Sequence, residues 1–559
     1  MKSLPPVALF ALSVPLMAAM AAPDEERTRL TLLGTTDLHG HIWPTSYLKG
    51  SVEEDLGLAK VATLVKRERA QNPNVVLVDS GDLLQGSPLT DWHIRHGDPR
   101  RHTHPMVDVL NLMDYTAWDV GNHDFNYGLD ILGKARADAR YPFVSANAYH
   151  HGTKDPFFRP WIIREVGGVK VGIIGATPPG VAIWDRFHVE RKLDFGDIVE
   201  AFQREVPEMK ARGAEVVLGI PHSGLGGDGP YGPTFSGYSA SAGLPPENVV
   251  LRLADEVPGL DVVFAGHSHQ DVPGLERNGV SLAQAEMWGK RLAVARLELA
   301  RRSGEPWRIV SREVTTQGVQ GVPPDPEVLE GSRRVHEATV RYVAAPIART
   351  PETWAAGRVR LEDTPIVDLV NEVQRWRTGA QLSAAAAFTT EAGLSAGTLT
   401  IANVAALYPY ENGLVAVRIT GSRLRAYIEQ SARFYAPYAP GAKVMADGVR
   451  GYNYDMVSGV DYTLDVRRPP GKRLVKLMWQ GKPVSDKQEF TLAVNTYRQR
   501  GGGGFDMFRD CPVVFDRQDN VRELMIEYLR QKRVVRQKDV FRRNWNVLPA
   551  GALAGDTYR

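Results

Sequence analysis

Between Arg29 and about Glu313, short β-branched runs alternate with longer helical patterns, and the way these runs end limits what the chain can fold into. The runs are LTLLGTT, VVLVDS, YTAWDV, VKVGIIGAT, EVVLGI and LDVVFAG. Their alternation predicts a layered α/β domain. All but one lead into side chains that bind cations or transfer protons. LTLLGTT leads into Asp37 and His39, VVLVDS into Asp82, and YTAWDV into Asn122, His123 and Asp124. EVVLGI leads into His222, and LDVVFAG into His267 and His269. Only VKVGIIGAT ends without such a residue. Ligands in open α/β sheets collect at the carboxyl ends of strands, so these separate segments are expected to meet in one crevice.

The local spacing points the same way. In extended chain, residues i and i+2 share a face, which would aim Asp37 with His39 and His267 with His269. Carboxylate, amide and imidazole suit Zn, Mn or Fe. Together they exceed one closed site but suffice for two cations sharing a bridging group, for which Asp82 is the candidate. Any single one of these histidines could equally cap a strand by bonding nearby backbone. Recurrence at five strand ends favours a shared site. His93, His96, His102 and His104 lie in the arginine-rich stretch WHIRHGDPRRHTHP, without carboxylate company, and are read as non-ligands.

At 559 residues the chain exceeds one ordinary core, and its 43% hydrophobic and 24% charged composition excludes disorder, collagen and coiled coil. Residues 1–22, with Lys2 before an apolar run and Ala19, Met20 and Ala21 at its end, read as an export signal peptide. No later segment is long enough to span a bilayer, so no stable membrane insertion is expected once the leader is removed. The single cysteine, Cys511, can form no internal disulfide, which fits a bacterial periplasm or secretion. A formal charge of +2 gives no general attraction for polyanions. The basic tail Arg530 to Arg543 is interrupted by apolar residues and reads as the solvated face of a terminal helix and strand, so no nucleic-acid polymer is expected as partner. Residues 28–321 form the expected first domain. Residues 322–347, opening on the proline-rich VPPDPE, read as a linker helix with a hinge near Pro323, and residues 348–549 as a second α/β unit.

Taken in order, D-x-H at Asp37 and His39, Gly81 and Asp82, GNHD at Gly121 to Asp124, His222, and GHSH at Gly266 to His269 resemble the calcineurin-like metallophosphoesterases. With the second domain, the chain resembles the 5'-nucleotidase superfamily over nearly its whole length after the leader. That resemblance implies a four-layer αββα sandwich joined to an α/β nucleotide-recognition domain. It implies two divalent ions, one held by Asp37, His39, Asp82 and His269, the other by Asp82, Asn122, His222 and His267. His123 would be the catalytic imidazole, facing substrate.

Within the superfamily, the 5'-nucleotidase branch supports this histidine with an aspartate three residues on, whereas Asn126 stands here. An amide can orient the ring but stabilises its charge less. The segment LSAAAAFTTEAGL lacks the substrate-holding arginine of that branch, and Gly503 replaces its ribose-binding aspartate. These features resemble the 2',3'-cyclic-nucleotide 2'-phosphodiesterase/3'-nucleotidase branch. By similarity to it, Tyr410 and Tyr497 would sandwich the base, with Tyr452 and Tyr454 in reserve, and the glycine run Gly501 to Gly504 would let backbone approach the ligand. The expected activity is exported hydrolysis of small-molecule nucleotides: opening of 2',3'-cyclic nucleotides to 3'-nucleotides, then removal of the 3'-phosphate. The alternatives are a 5'-nucleotidase or nucleotide-sugar hydrolase, and a secreted nucleotide-binding protein without turnover.

Overall fold

The apolar runs dictate the frame. In the computed structural model, which describes residues 25–227, 231, 243–410, 412–508 and 510–558, all six runs fold as strands. The expected leader, residues 1–22, lies outside the described residues. Glu25–Thr35, Val75–Asp79 and Ala117–Asp119 run parallel in one sheet. Phe143–Val144 extends that sheet on one side, and the antiparallel strands Arg291–Arg302 and Arg308–Gly318 extend it on the other. Val169–Ile174, Val216–Gly219 and Val262–Ala265 run parallel in a second sheet, flanked by Trp161–Val166 and by Val280–Ala285 with Asp271–Arg277.

Side-chain alternation along the strands then sorts the layers. Leu30, Leu32, Val76 and Val78 meet Val171, Ile173, Leu218 and Phe264 in one core between the sheets. Leu33 and Leu77 point outward, into a core shared with helices Leu58–Gln71 and Pro105–Leu112. Ile174, Val217 and Val263 pack outward against Ile198–Ala211 and Val250–Glu256. The order is helix, sheet, sheet, helix. Parallel strands covered on both faces read as continuous apolar runs, which is why the sequence carries no period-two pattern here. A Cβ on Gly34 would lie 2.4 Å from the Phe264 ring, so only glycine lets the two sheets meet at this point.

Helix Pro326–Val343 begins where the Asp325 carboxylate accepts the Glu327 and Val328 N–H groups. Its Val328 and Val343 join the first domain's core, and His336 stacks on Trp43 with ring centroids 3.8 Å apart. The Pro323 carbonyl accepts the Thr63 hydroxyl at 2.7 Å. The segment that reads as a linker is therefore docked on the first domain. The exposed Arg530, Lys532, Arg533 and Arg536 lie at and beyond the end of helix Val521–Lys532, as a solvated face requires.

The second domain centres on a mixed five-stranded sheet ordered Asp455–Ser458, Leu382–Ala386, Glu489–Asn495, Gly413–Thr420 and Val513–Asn520. Helices Pro365–Thr378, Gly421–Ser431 and Val521–Lys532 contribute to its core. From the last helix, Arg522 reaches across to the first domain. Its guanidinium pairs with the buried Asp91 carboxylate, which also accepts the Tyr127 hydroxyl, and it donates to the carbonyls of Tyr408 and Pro409. Removing one partner of a buried pair strands the other charge. Arg522→Leu should therefore lower stability by about 3–5 kcal/mol, and Arg522→Leu with Asp91→Asn should recover most of it. Calorimetric melting of the three proteins checks this, and equal melting temperatures for the single and double variants would contradict it.

Candidate metal centre

The ligand-type residues stand on tight turns just past the strand ends. Asp37, His39, Asp82, His267 and His269 all take left-handed backbone, with φ of 49°, 45°, 60°, 69° and 56°. Non-glycine residues held there carry strain that the surroundings must impose, and such strain clusters at functional sites. The pairs at i and i+2 are thus not extended, contrary to the spacing argument. Asp37 and His39 still share a cluster, but His267 and His269 divide between two.

Backbone bonds lace these turns together. The N–H of Asp37 donates to Gly81 O and that of His39 to Asp82 O, both at 2.9 Å. The Asp124 carboxylate, buried, accepts four backbone N–H groups: Asp82 at 3.1 Å, Leu83 at 2.8 Å, Leu84 at 2.9 Å and Gly121 at 2.8 Å. It fastens the turn that carries Asp82 to the turn that carries Asn122 and His123. Asp119 accepts the His222 N–H at 2.8 Å. The strand that ends without a ligand has a supporting part instead, since Ala176 O also accepts the His222 N–H and Thr177 donates to Val120 O.

Side-chain orientation follows from secondary bonds. His39 Nδ1 lies 2.8 Å from Gln85 O and His222 Nδ1 lies 2.6 Å from Ser80 O, so each ring donates to backbone and turns Nε2 inward. Asp37 Oδ2 accepts Thr36 Oγ1 and the His267 N–H, leaving Oδ1 to the cavity. Asp37, His39 and His269 offer ligand atoms within 4.8 Å of one another, and Asp82, His222 and His267 do the same. The carboxylates span both groups. Asp82 Oδ2 lies 3.0 Å from His222 Nε2 and 3.7 Å from His39 Nε2, while Asp37 Oδ1 lies 3.2 Å from His269 Nε2 and 3.8 Å from His222 Nε2.

The donor set fits divalent cations by a direct criterion. Asp37 Oδ1, Asn122 Oδ1 and His222 Nε2 are buried and have no hydrogen-bond partner, although such atoms are normally satisfied. Burial opposes a charge on His222, yet the Asp82 and Asp37 carboxylates hold its pKa up at about 10. Burial holds His39 down at about 3.

His123 is half-buried beside His39, with ring centroids 5.2 Å apart, and its backbone N–H donates to Asp82 Oδ1 at 2.7 Å. Its Nδ1 meets Asn126 Oδ1 at 2.8 Å, and Asn126 Nδ2 donates to Asp185 Oδ1 at 2.9 Å. Burial pushes the Asp185 carboxyl up to about 7. His93 and His104 pair with each other away from these residues, with centroids 5.2 Å apart.

The second domain presents an aromatic cluster. Tyr410, 40% exposed, packs edge-on against Phe388 at 4.9 Å and Tyr452 at 6.4 Å. Tyr497 is half-buried, and a Cβ on Gly502 would lie 2.5 Å from its ring. The glycine run therefore approaches the tyrosine closely. Arg498, in a buried ion pair with Asp455, donates to Gly502 O and Tyr452 O and so ties both segments together. Tyr454 is core: it is buried, stacks on Phe434 at 4.9 Å and accepts the Tyr435 hydroxyl. Arg500 donates to Trp184 O of the first domain at 2.9 Å, and Trp184 stacks near His267, with centroids 5.8 Å apart. Glu247 Oε2 is 3.6 Å from His267 Nε2. Asp185, Phe388, Arg498 and Glu247 carry no sequence signal comparable to the motifs, although Phe388 lies in LSAAAAFTTEAGL and Arg498 lies shortly before the glycine run.

Comparison with known proteins agrees with this geometry. Residues 30–271 match the calcineurin-like phosphoesterase family and residues 346–510 the 5'-nucleotidase C-terminal domain. The chain is 31% identical to the 2',3'-cyclic-nucleotide 2'-phosphodiesterase/3'-nucleotidase of Haemophilus influenzae, over 90% of this chain and 84% of that one. It is 30% identical to the trifunctional nucleotide phosphoesterase YfkN of Bacillus subtilis over 98% of its length, and spans 41% of that longer protein. A Staphylococcus aureus crystal structure classed as a 5'-nucleotidase superposes with a TM-score of 0.80 at 26% identity, covering 93% of this chain and 100% of that one. Fold and side chains define a metal-dependent phosphoric ester hydrolase of the metallophosphoesterase class. The chain belongs to the 2',3'-cyclic-nucleotide 2'-phosphodiesterase/3'-nucleotidase family.

Asp124→Ala would leave four buried N–H groups without an acceptor, at a cost on the order of 3 kcal/mol or more. The expected outcome is a lower melting temperature and less bound metal per chain, measured by elemental analysis; unchanged metal content would contradict the role of this carboxylate.

Proposed function

We propose that the protein opens 2',3'-cyclic nucleotides to 3'-nucleotides and then removes the 3'-phosphate, releasing nucleoside and inorganic phosphate. The observation that carries this reading is the convergence of two carboxylate and imidazole clusters in the first domain, with Arg500 of the second domain bonded to the carbonyl of Trp184, whose ring stacks near His267. Asp37, His39, Asp82 and His269 would hold one divalent ion, and Asp82, Asn122, His222 and His267 the other, with Zn, Mn and Fe all compatible with these donors. When bound, such cations supply Lewis acidity and neutralise the charge that builds on a phosphoryl group.

The chain's own residues supply the rest. With Nδ1 of His123 engaged by Asn126, its Nε2 is the atom left to bond a phosphoryl oxygen or deliver a proton to the leaving alkoxide. Tyr410 and Tyr497, with Phe388 and Tyr452 alongside, offer π-faces that any base can stack on, which favours tolerance of purines and pyrimidines. The absence of an arginine in the Leu382 to Leu394 segment, and Gly503 in place of a carboxylate, leave room for phosphate on the 2' and 3' oxygens. The leader at residues 1–22 supports export. Among the described residues, no helix is long and apolar enough to cross a membrane.

Phosphate release by the manganese- or zinc-loaded protein from 2',3'-cyclic AMP, 3'-AMP and 5'-AMP tests the reading. Turnover of the first two is expected, and exclusive use of 5'-AMP would overturn it. His123→Ala should lower kcat about 10²- to 10⁴-fold with metal content retained. Tyr410→Ala should raise KM for 3'-AMP about tenfold or more, at about 1–3 kcal/mol per stacked base, and leave KM for p-nitrophenyl phosphate unchanged; an equal rise for both esters would place Tyr410 outside base recognition.

A further inference from the structure

We infer that Asp185 is a positioning residue that sets the tautomer of His123 through Asn126. The inference rests on the functional reading above, in that it gives His123 its role toward the leaving group. Asn126 offers one accepting end and one donating end. The donating Nδ2 is spent on Asp185 Oδ1 at 2.9 Å, so the accepting Oδ1 faces His123 Nδ1 at 2.8 Å. An amide oxygen cannot donate, and the ring must therefore carry its proton on Nδ1. Nε2 is left as the working atom: a lone pair when the ring is neutral, a donor when it is charged.

Among the described residues, Asp185 is the group that bonds the donating end of the Asn126 amide. A flipped Asn126 would aim its NH2 at Nδ1, favour the opposite tautomer and place the ring's only proton on Nε2 at all times. Asp185 opposes the flip because its Oδ1 accepts the Asn126 Nδ2 hydrogen at 2.9 Å, a bond that the flipped amide would lose. It stands between the short helices Val181–Trp184 and Arg186–Val189, and it is held by the bond from its N–H to Val181 O and by the His188 N–H on its own carbonyl. It is 5% exposed, and the Arg500 guanidinium from the second domain lies close enough for its charge to favour the ionised form. The carboxylate thus stands one amide away from the imidazole. It keeps the orienting function, and the domain that presents the base contributes a charge to it.

Leaving groups separate this role from general damage to the site. An alkoxide leaving from 3'-AMP needs a proton in the transition state, and p-nitrophenolate does not. Asp185→Asn presents an NH2 that can bond the Asn126 oxygen and release the amide to flip. It should lower kcat on 3'-AMP about 10- to 100-fold, the scale of supporting-group losses, with KM within about threefold, and change kcat on p-nitrophenyl phosphate by less than about threefold. The exchange variant Asn126→Asp with Asp185→Asn restores a carboxylate at the ring and should recover most of the loss. In the wild-type zinc-loaded protein, the imidazole 15N shifts of His123 should report a proton on Nδ1, a readout that needs no variant to fold. Equal losses on both esters, no loss on 3'-AMP, or a bare Nδ1 in the spectrum would each overturn the inference. If the wild-type protein hydrolyses neither 3'-AMP nor 2',3'-cyclic AMP, the functional reading itself falls.

Discussion

The site depends on one buried carboxylate that need not touch an ion. Asp124 gathers four backbone N–H groups from two turns whose strands, Val75–Asp79 and Ala117–Asp119, are neighbours in a parallel sheet. Four donors around a buried carboxylate form a strong, directional clamp. It keeps Asp82 in a left-handed conformation that the residue would otherwise leave, and it sets Asn122 and His123 beside it. This also accounts for the composition of the GNHD turn: the amide and the imidazole face the cavity, and the carboxylate holds the turn in place.

Around that clamp the two sheets act as a rigid seat. Their strand ends supply ligand-type side chains, Asp37 and Asp82 from one sheet and His222, His267 and His269 from the other, so each candidate cluster draws on both sheets. Bringing like carboxylates together is unfavourable unless positive charge joins them. The Asp82 and Asp37 carboxylates accordingly hold the pKa of His222 up at about 10. The second domain is joined through buried and half-buried charged groups, Arg522 on Asp91 and Arg500 on the Trp184 carbonyl.

Much of this was legible in the sequence because ligand residues follow directly on apolar runs, and a strand end is a place that a sequence marks. Asp37, His39, Asp82, Asn122, His222, His267 and His269 could be found that way. The reason for their proximity could not: extended-chain parity predicted a shared face for His267 and His269, whereas positive φ at both sends them to different clusters. Asp185 stayed hidden because its partner lies 59 residues away and its own neighbourhood, GVAIWDRF, has no periodic or catalytic pattern. Arg498 looked like one cation among several in YRQRGGGG, and only burial against Asp455 distinguishes it. Likewise Tyr454 could not be told from Tyr452 until packing placed one in the core and the other beside Tyr410.

The central claim is that two groups of side chains from two facing sheets hold two cations a few ångströms apart. Anomalous diffraction from crystals grown with manganese addresses it directly. Two peaks are predicted, one among Asp37, His39 and His269 and the other among Asp82, His222 and His267, with the Asp82 carboxylate between them. A single peak, or peaks away from these residues, would contradict the account.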